Sequence, residues 1–123
     1  MKRTMRVAVL LALATSSSVL HATDTGHKKF SGVYRTYSGG LGDSGPSTPG
    51  DAKVMFSIDG EAARDMFNAM GKDVKDTCTE GSGTRVRMKD HQRLVCSRSK
   101  QGEYSCNFGF DLKSGKSIGG SVC

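Results

Sequence analysis

No apolar run in this chain is long enough to cross a membrane. The longest, residues 7–14, has eight residues, against the roughly twenty that a transmembrane helix needs. Metal knuckles are missing too. The cysteines at 78, 96, 106 and 123 are spaced by 18, 10 and 17 residues, with no C-x₂₋₄-C pair, so a structural zinc site has no frame. The tripeptide Gly115, Lys116, Ser117 is not a phosphate loop. The glycine such a loop requires falls on Phe110, and only six residues follow Ser117, too few for the helix whose N-terminus would hold phosphate. Serine is plentiful, but no G-x-S-x-G elbow exposes one as a nucleophile. These absences leave no catalytic set, no metal and no cofactor to nominate.

What is present begins with an address. Lys2, Arg3 and Arg6 precede the apolar run, and small and polar residues lead to Leu20, His21 and Ala22. This is the pattern of a secretory signal peptide over residues 1–22, cleaved after Ala22. No cysteine lies near that point, so a lipoprotein is not expected. The mature chain, residues 23–123, is the size of one small domain. Losing three of the eighteen basic residues and no acidic one leaves a net charge of +3. That is too small to point to nucleic acid, which an exported protein rarely meets.

All four cysteines lie in the exported part, and an even count in a short exported chain reads as two disulfides. Each contributes about 2–4 kcal/mol to a domain this small. Four cysteines allow three pairings, and the strand pattern favours one of them. The stretch 96–106 reads as a hairpin with a three-residue loop at Lys100, Gln101 and Gly102, where Gly102 supplies the left-handed residue of a turn with a bulge. That register sets Cys96 opposite Cys106, close enough to bridge, and leaves Cys78 for Cys123, which would staple a fraying end.

The same reasoning extends along the chain. "FSGVYRTY", residues 30–37, is aromatic and β-branched enough for a strand. Residues 38–51 follow, with five glycines and both prolines, where no regular element persists. A connection this long is either functional or disordered. Val54, Phe56 and Ile58 alternate as a half-buried strand. Asp59 is placed to cap the one helix, with Glu61 in its first turn and Gly71 just past its end. Ala62, Ala63, Met66, Phe67 and Met70 form its apolar stripe. A three-residue loop at Asp90, His91 and Gln92 would pair Met88 with Leu94 and Val86 with Cys96. Val86, Met88, Leu94, Cys96, Tyr104, Cys106, Phe108, Phe110 and Leu112 would then share one face. A turn at Gly115 would bring Ile118 to Phe110. The fold class is α+β: a mainly antiparallel sheet packed on one helix and stabilised by disulfides.

On this register Arg85, Arg87, Lys89 and Arg93 point away from the core as a basic strand face. Such a face either meets an acidic partner or is solvated and discourages edge aggregation. His91, beside Asp90, could act as a base, although a turn histidine is more often simply solvated.

Gly60-x-Ala62-Ala63-x-x-Met66-Phe67, with Leu94-Val95-Cys96 and Tyr104-Ser105-Cys106, resembles a loose group of small exported proteobacterial proteins. In size and address alone the chain is similar to periplasmic lysozyme inhibitors and to immunity proteins against cell-wall-degrading toxins. Export, two cystines and the lack of any catalytic, metal or cofactor set point, by elimination, to a periplasmic binding or inhibitor protein whose partner is a peptidoglycan hydrolase or toxin. Leu41, Asp43 and Pro46 in the long loop, and Arg85, Arg87, Lys89 and Arg93 on the sheet, are the candidate partner-binding residues. Two alternatives stand beside it: an envelope protein contacting anionic lipopolysaccharide or peptidoglycan, and a small periplasmic hydrolase using His91.

Overall fold

A computed structural model describes residues 26–43 and 45–123. The expected signal peptide lies outside the described residues. The described residues form six strands and one helix: β1 (Ser31–Tyr37), β2 (Lys53–Asp59), α1 (Gly60–Ala69), β3 (Arg85–Lys89), β4 (Leu94–Arg98), β5 (Tyr104–Asp111) and β6 (Ser117–Ile118). The strands form one sheet in the order β1-β2-β5-β4-β3, with β6 also paired to β5, and every pairing is antiparallel. The arrangement is α+β, with a helix that is small relative to the sheet. Two disulfides, Cys96–Cys106 and Cys78–Cys123, brace it. No helix among the described residues is long and apolar enough to cross a membrane.

Helix α1 follows β2 directly and folds back over one face of the sheet. Its Ala63, Phe67 and Met70 pack on Ile58, Cys96 and Cys106, with Leu94, Tyr104 and Phe108 at the margin. Asp59 occupies the N-cap position, but its carboxylate makes no cap bond. It accepts a hydrogen bond from the Ser31 hydroxyl instead, tying the start of the helix to β1. At the other end Gly71 takes a left-handed φ of 90°, which glycine adopts without steric cost.

The β4–β5 hairpin closes as Gly102 dictates. Gly102 has φ 87°, the Ser99 amide donates to the Glu103 carbonyl at 2.8 Å, and Cys96 stands opposite Cys106 with their Cα atoms 4.0 Å apart. The β3–β4 hairpin departs from expectation by one residue. Lys89 pairs with Leu94 and Arg87 with Cys96, so the turn holds four residues. Asp90, His91 and Gln92 all have positive φ, between 51° and 66°, and the Arg93 amide closes on the Asp90 carbonyl at 3.0 Å. A slip of one residue moves every side chain to the other face. Arg85, Arg87 and Lys89 therefore lie on the helix-bearing face, and Val86 and Met88 on the opposite one.

A second turn is also longer than its glycine suggests. The Asp111 carboxylate accepts from the amides of Lys113 and Ser114, both at 2.9 Å. The four-residue turn it organises pairs Ile118 with Gly109 rather than Phe110. Leu112 sits in that turn, exposed, and Phe110 is only partly covered.

The slipped face has its own cover. Val74 donates its amide to the Val86 carbonyl at 2.8 Å, closing the outer edge of β3. Ser121 and Val122 line hollows with Met55, Ser57, Val95 and Asn107 of that face, and Cys123 is bonded to Cys78. The tail reaches this position by a close approach. A methyl group at Gly120 would stand 2.4–2.6 Å from the backbone N, O and C of Phe108, whereas one at Gly119 would meet nothing within 4 Å. Overpacking against backbone costs about 1–3 kcal/mol. Gly120→Ala is thus expected to lower the thermal midpoint by at least about 4 °C, and Gly119→Ala to leave it in place. Equal midpoints for the two variants, followed by circular dichroism, would show that the tail does not rest on β5.

Candidate functional site

The most unusual surface is the β1 edge. Residues 31–36 of β1 are all exposed, and Phe30, Val33 and Tyr34 keep 68, 69 and 70 % of their surface in solvent. A sheet edge of this kind presents unpaired backbone groups and is normally blunted. At the far edge β3 is covered by Val74; among the described residues β1 has no such partner on its outer side along residues 31–37.

The hydrogen bonds next to the strand fix which groups are free. Ser38 exchanges both of its backbone bonds with Gly45, at 3.0 and 3.1 Å. The Gly39 amide points the other way, to the Asp51 carboxylate at 2.7 Å, and Asp51 leads straight into β2. Backbone direction alternates along an extended strand. The N–H and C=O groups of Gly32, Tyr34 and Thr36 therefore face the open edge, while those of Val33, Arg35 and Tyr37 face β2.

The side chains divide in the same way. Tyr34 stands on the helix-bearing face and begins a cross-strand row with Phe56 and Phe108, ring centroids 6.3 and 5.3 Å apart. Val33 and Arg35 stand on the other face, above a groove of about 470 Å³ shared with Leu41, Met55 and Val122. The Arg35 guanidinium lies 5.6 Å from the Tyr37 ring centroid and donates to the Leu41 carbonyl at 3.4 Å.

The long loop is ordered around one carboxylate. Besides the Gly39 amide, Asp51 is bonded by the Lys53 ammonium, and its backbone exchanges two bonds with Thr48 at 3.1 and 3.2 Å. The Lys53 bond, and then the Gly39 amide, lower the Asp51 pKa. Leu41 is half-buried beside Arg35, whereas Asp43 and Pro46 are exposed. The structure thus sets Leu41 against β1 and leaves Asp43 and Pro46 exposed in the loop beyond its end.

It does not assemble the basic candidates into an outward face. Arg85 donates to Asp73 at 2.7 and 3.3 Å. Arg87 donates to Asp73 at 2.9 Å and to the Phe67 carbonyl at 2.7 Å. Arg93 lies in the turn, 3.5 Å from the Asp90 carboxylate, and Lys89 is exposed at the end of β3. His91 is 89 % exposed, and its Nδ1 is 3.9 Å from Asp90, beyond hydrogen-bonding distance. Among the described residues no group of His, Cys, Asp and Glu could hold a metal ion.

The Asp73 clamp makes a pH prediction. Hydrogen bonds from Arg85 first, and then Arg87, hold the Asp73 carboxyl at about 2 instead of 3.8. A depressed folded-state pKa gives stability that is complete above the ordinary value and lost as pH falls through the folded one. Wild type should therefore exceed Asp73→Asn in stability at pH 6, with the gap closing between pH about 4 and about 2. Urea titrations at several pH values will show it, and a gap unchanged at pH 2 would refute it.

Sequence reading missed Phe30, Val33, Tyr34 and Phe56 as site residues. The available signal was the lack of clean alternation in "FSGVYRTY", which carries apolar groups on both faces, as a strand at an open edge can. Comparison with protein-family models, curated proteins and solved structures finds no match for this chain.

Proposed function

We propose that the chain is an exported, periplasmic binding protein that blocks another protein of the envelope, a peptidoglycan hydrolase or a toxin. The observation that carries this is the open β1 edge, with Phe30, Val33 and Tyr34 exposed beside a braced sheet. Proteins add an extended segment to such an edge, backbone bonds giving affinity and flanking side chains giving selectivity. Two disulfides suit an oxidising compartment. They also limit the ordering cost of binding, because the scaffold is rigid beforehand. Arg85 and Arg87 already hold Asp73 and Phe67, which weighs against the anionic-envelope reading. The exposed, unsupported His91 weighs against the hydrolase.

The test is photocrosslinking in periplasm with benzoylphenylalanine at position 34, and at position 68 on the solvent side of α1 as control. Capture of one envelope protein from position 34 alone is expected, reduced by Val33→Lys and by deletion of residues 39–49. Equal labelling from both positions, or none from position 34, would overturn the reading.

A further inference from the structure

Resting on that reading of the β1 edge, we infer that its partner presents an extended segment in which an apolar residue is followed or preceded by an acidic one. The apolar side chain lies against Tyr34 and the carboxylate against Arg35. Backbone phase sets this pairing. Gly32, Tyr34 and Thr36 offer their N–H and C=O groups outward, as fixed by the opposite directions of the Ser38 and Gly39 bonds. A segment added here becomes the next strand, and its side chains alternate between the two faces of the sheet.

On the helix-bearing face the incoming side chain extends the row Tyr34, Phe56, Phe108, where aromatic and β-branched neighbours pair favourably. Gly32 and Thr36, two residues to either side of Tyr34, leave room for it. On the other face it meets Arg35, which among the described residues touches a carbonyl oxygen and an aromatic ring and no carboxylate. Residues 26–41 contain Lys28, Lys29 and Arg35 and no acidic residue. Lys28 is already bonded to Glu61 at 2.8 Å, and Asp43 is the nearest acid in the loop sequence, leaving Lys29 and Arg35 as the positive charge along the strand. Opposite charges across a strand pair stabilise it and like charges destabilise it. A second copy of this chain fits less well, because its own β1 brings another arginine and no carboxylate.

The probe is a blocked peptide, Thr-Val-Glu-Val-Glu-Val-Thr, labelled for fluorescence anisotropy, with a counterpart carrying Lys for Glu. Every register of this repeat places valine on one face and the charge on the other. The Glu peptide should bind the intact chain about tenfold more tightly than the Lys peptide, and Arg35→Glu should reverse that order. Tyr34→Pro removes an outward amide without touching the ladder to β2, so it should weaken the Glu peptide about tenfold. Its midpoint and far-ultraviolet spectrum report whether the sheet is intact. If Tyr34→Pro disturbs the fold, a peptide N-methylated at its central amides takes its place. Equal affinity for the two peptides, or no binding of either, overturns the inference. So does gel filtration showing a dimer that Tyr34→Pro dissolves, since the edge then belongs to a second copy. Where the peptides fail but position 34 still crosslinks one envelope protein, only the segment's chemistry is wrong. Where both fail, the binding-protein reading falls as well.

Discussion

Phe67→Ala is expected to cost about 3–5 kcal/mol, the range for truncating a buried phenylalanine. A domain of this size has only about 5–15 kcal/mol in all. Phe67 is 1 % exposed and joins three elements at once. Its ring meets Tyr104 of β5 edge-on at 5.5 Å, and the Arg87 and Arg85 guanidinium groups of β3 lie 4.0 and 5.5 Å from its centre. Its carbonyl, one of the last in α1, accepts from Arg87 at 2.7 Å. The final turn of α1 contains no basic residue, so β3 supplies the cation that the negative end of the helix favours. Truncation leaves a cavity and strips two cations of their aromatic partner, each contact being about 0.5–1 kcal/mol. Urea denaturation measures the loss, and Phe67→Leu should recover more than half of it by refilling the space. A loss below about 1 kcal/mol would mean that the helix is not seated on the sheet as described.

The same arginines explain where the sequence could be read and where it could not. The helix, β2 and the β4–β5 hairpin were legible, because Ala63, Phe67 and Met70 recur at helical spacing, Val54 and Ile58 alternate, and Gly102 announces its turn. The β3–β4 register was not legible. Its turn uses Asp90, His91 and Gln92 in left-handed conformations with no glycine to mark them, and "RVRMK" alternates equally well in either sense. Pattern reasoning sends Val86 and Met88 toward the helix on the premise of one buried face. In the structure the tail and residues 74–79 cover the second face, so Val86 is 3 % exposed there. The arginine stems, meanwhile, lie along the helix with their charges satisfied by Asp73. The candidate site stayed hidden for a related reason. Which strand lies at the edge depends on the order β1-β2-β5-β4-β3, a non-local property that no local spacing of residues records.

Removing the Cys78–Cys123 bridge should be the other large change, and it should be separable from the first cystine by accessibility. The two residues are 45 apart in sequence, against 10 for Cys96 and Cys106. Constraining an unfolded loop of that length stabilises the fold by about 4 kcal/mol in the chain-entropy account, against slightly under 3 for the shorter loop. Exposure runs in parallel. Cys78 and Cys123 are exposed, whereas Cys96 and Cys106 are fully buried beneath α1. Thiol–disulfide exchange requires an attacking thiolate to reach a sulfur, so a dilute dithiol should open Cys78–Cys123 while the fold persists. Native-state reduction followed by alkylation and peptide mapping is expected to label Cys78 and Cys123 first. Cys96 and Cys106 should follow only as the circular dichroism signal of the sheet is lost. The released tail takes Ser121 and Val122 from the second face, uncovering Val86, Met88 and Val95. Cys78→Ala with Cys123→Ala should therefore combine a urea midpoint lowered in proportion to about 4 kcal/mol with binding of an apolar dye by the native protein. Simultaneous labelling of all four cysteines would contradict this order. It would mean that the tail is not an outer staple on a finished sheet but a condition for the sheet to form.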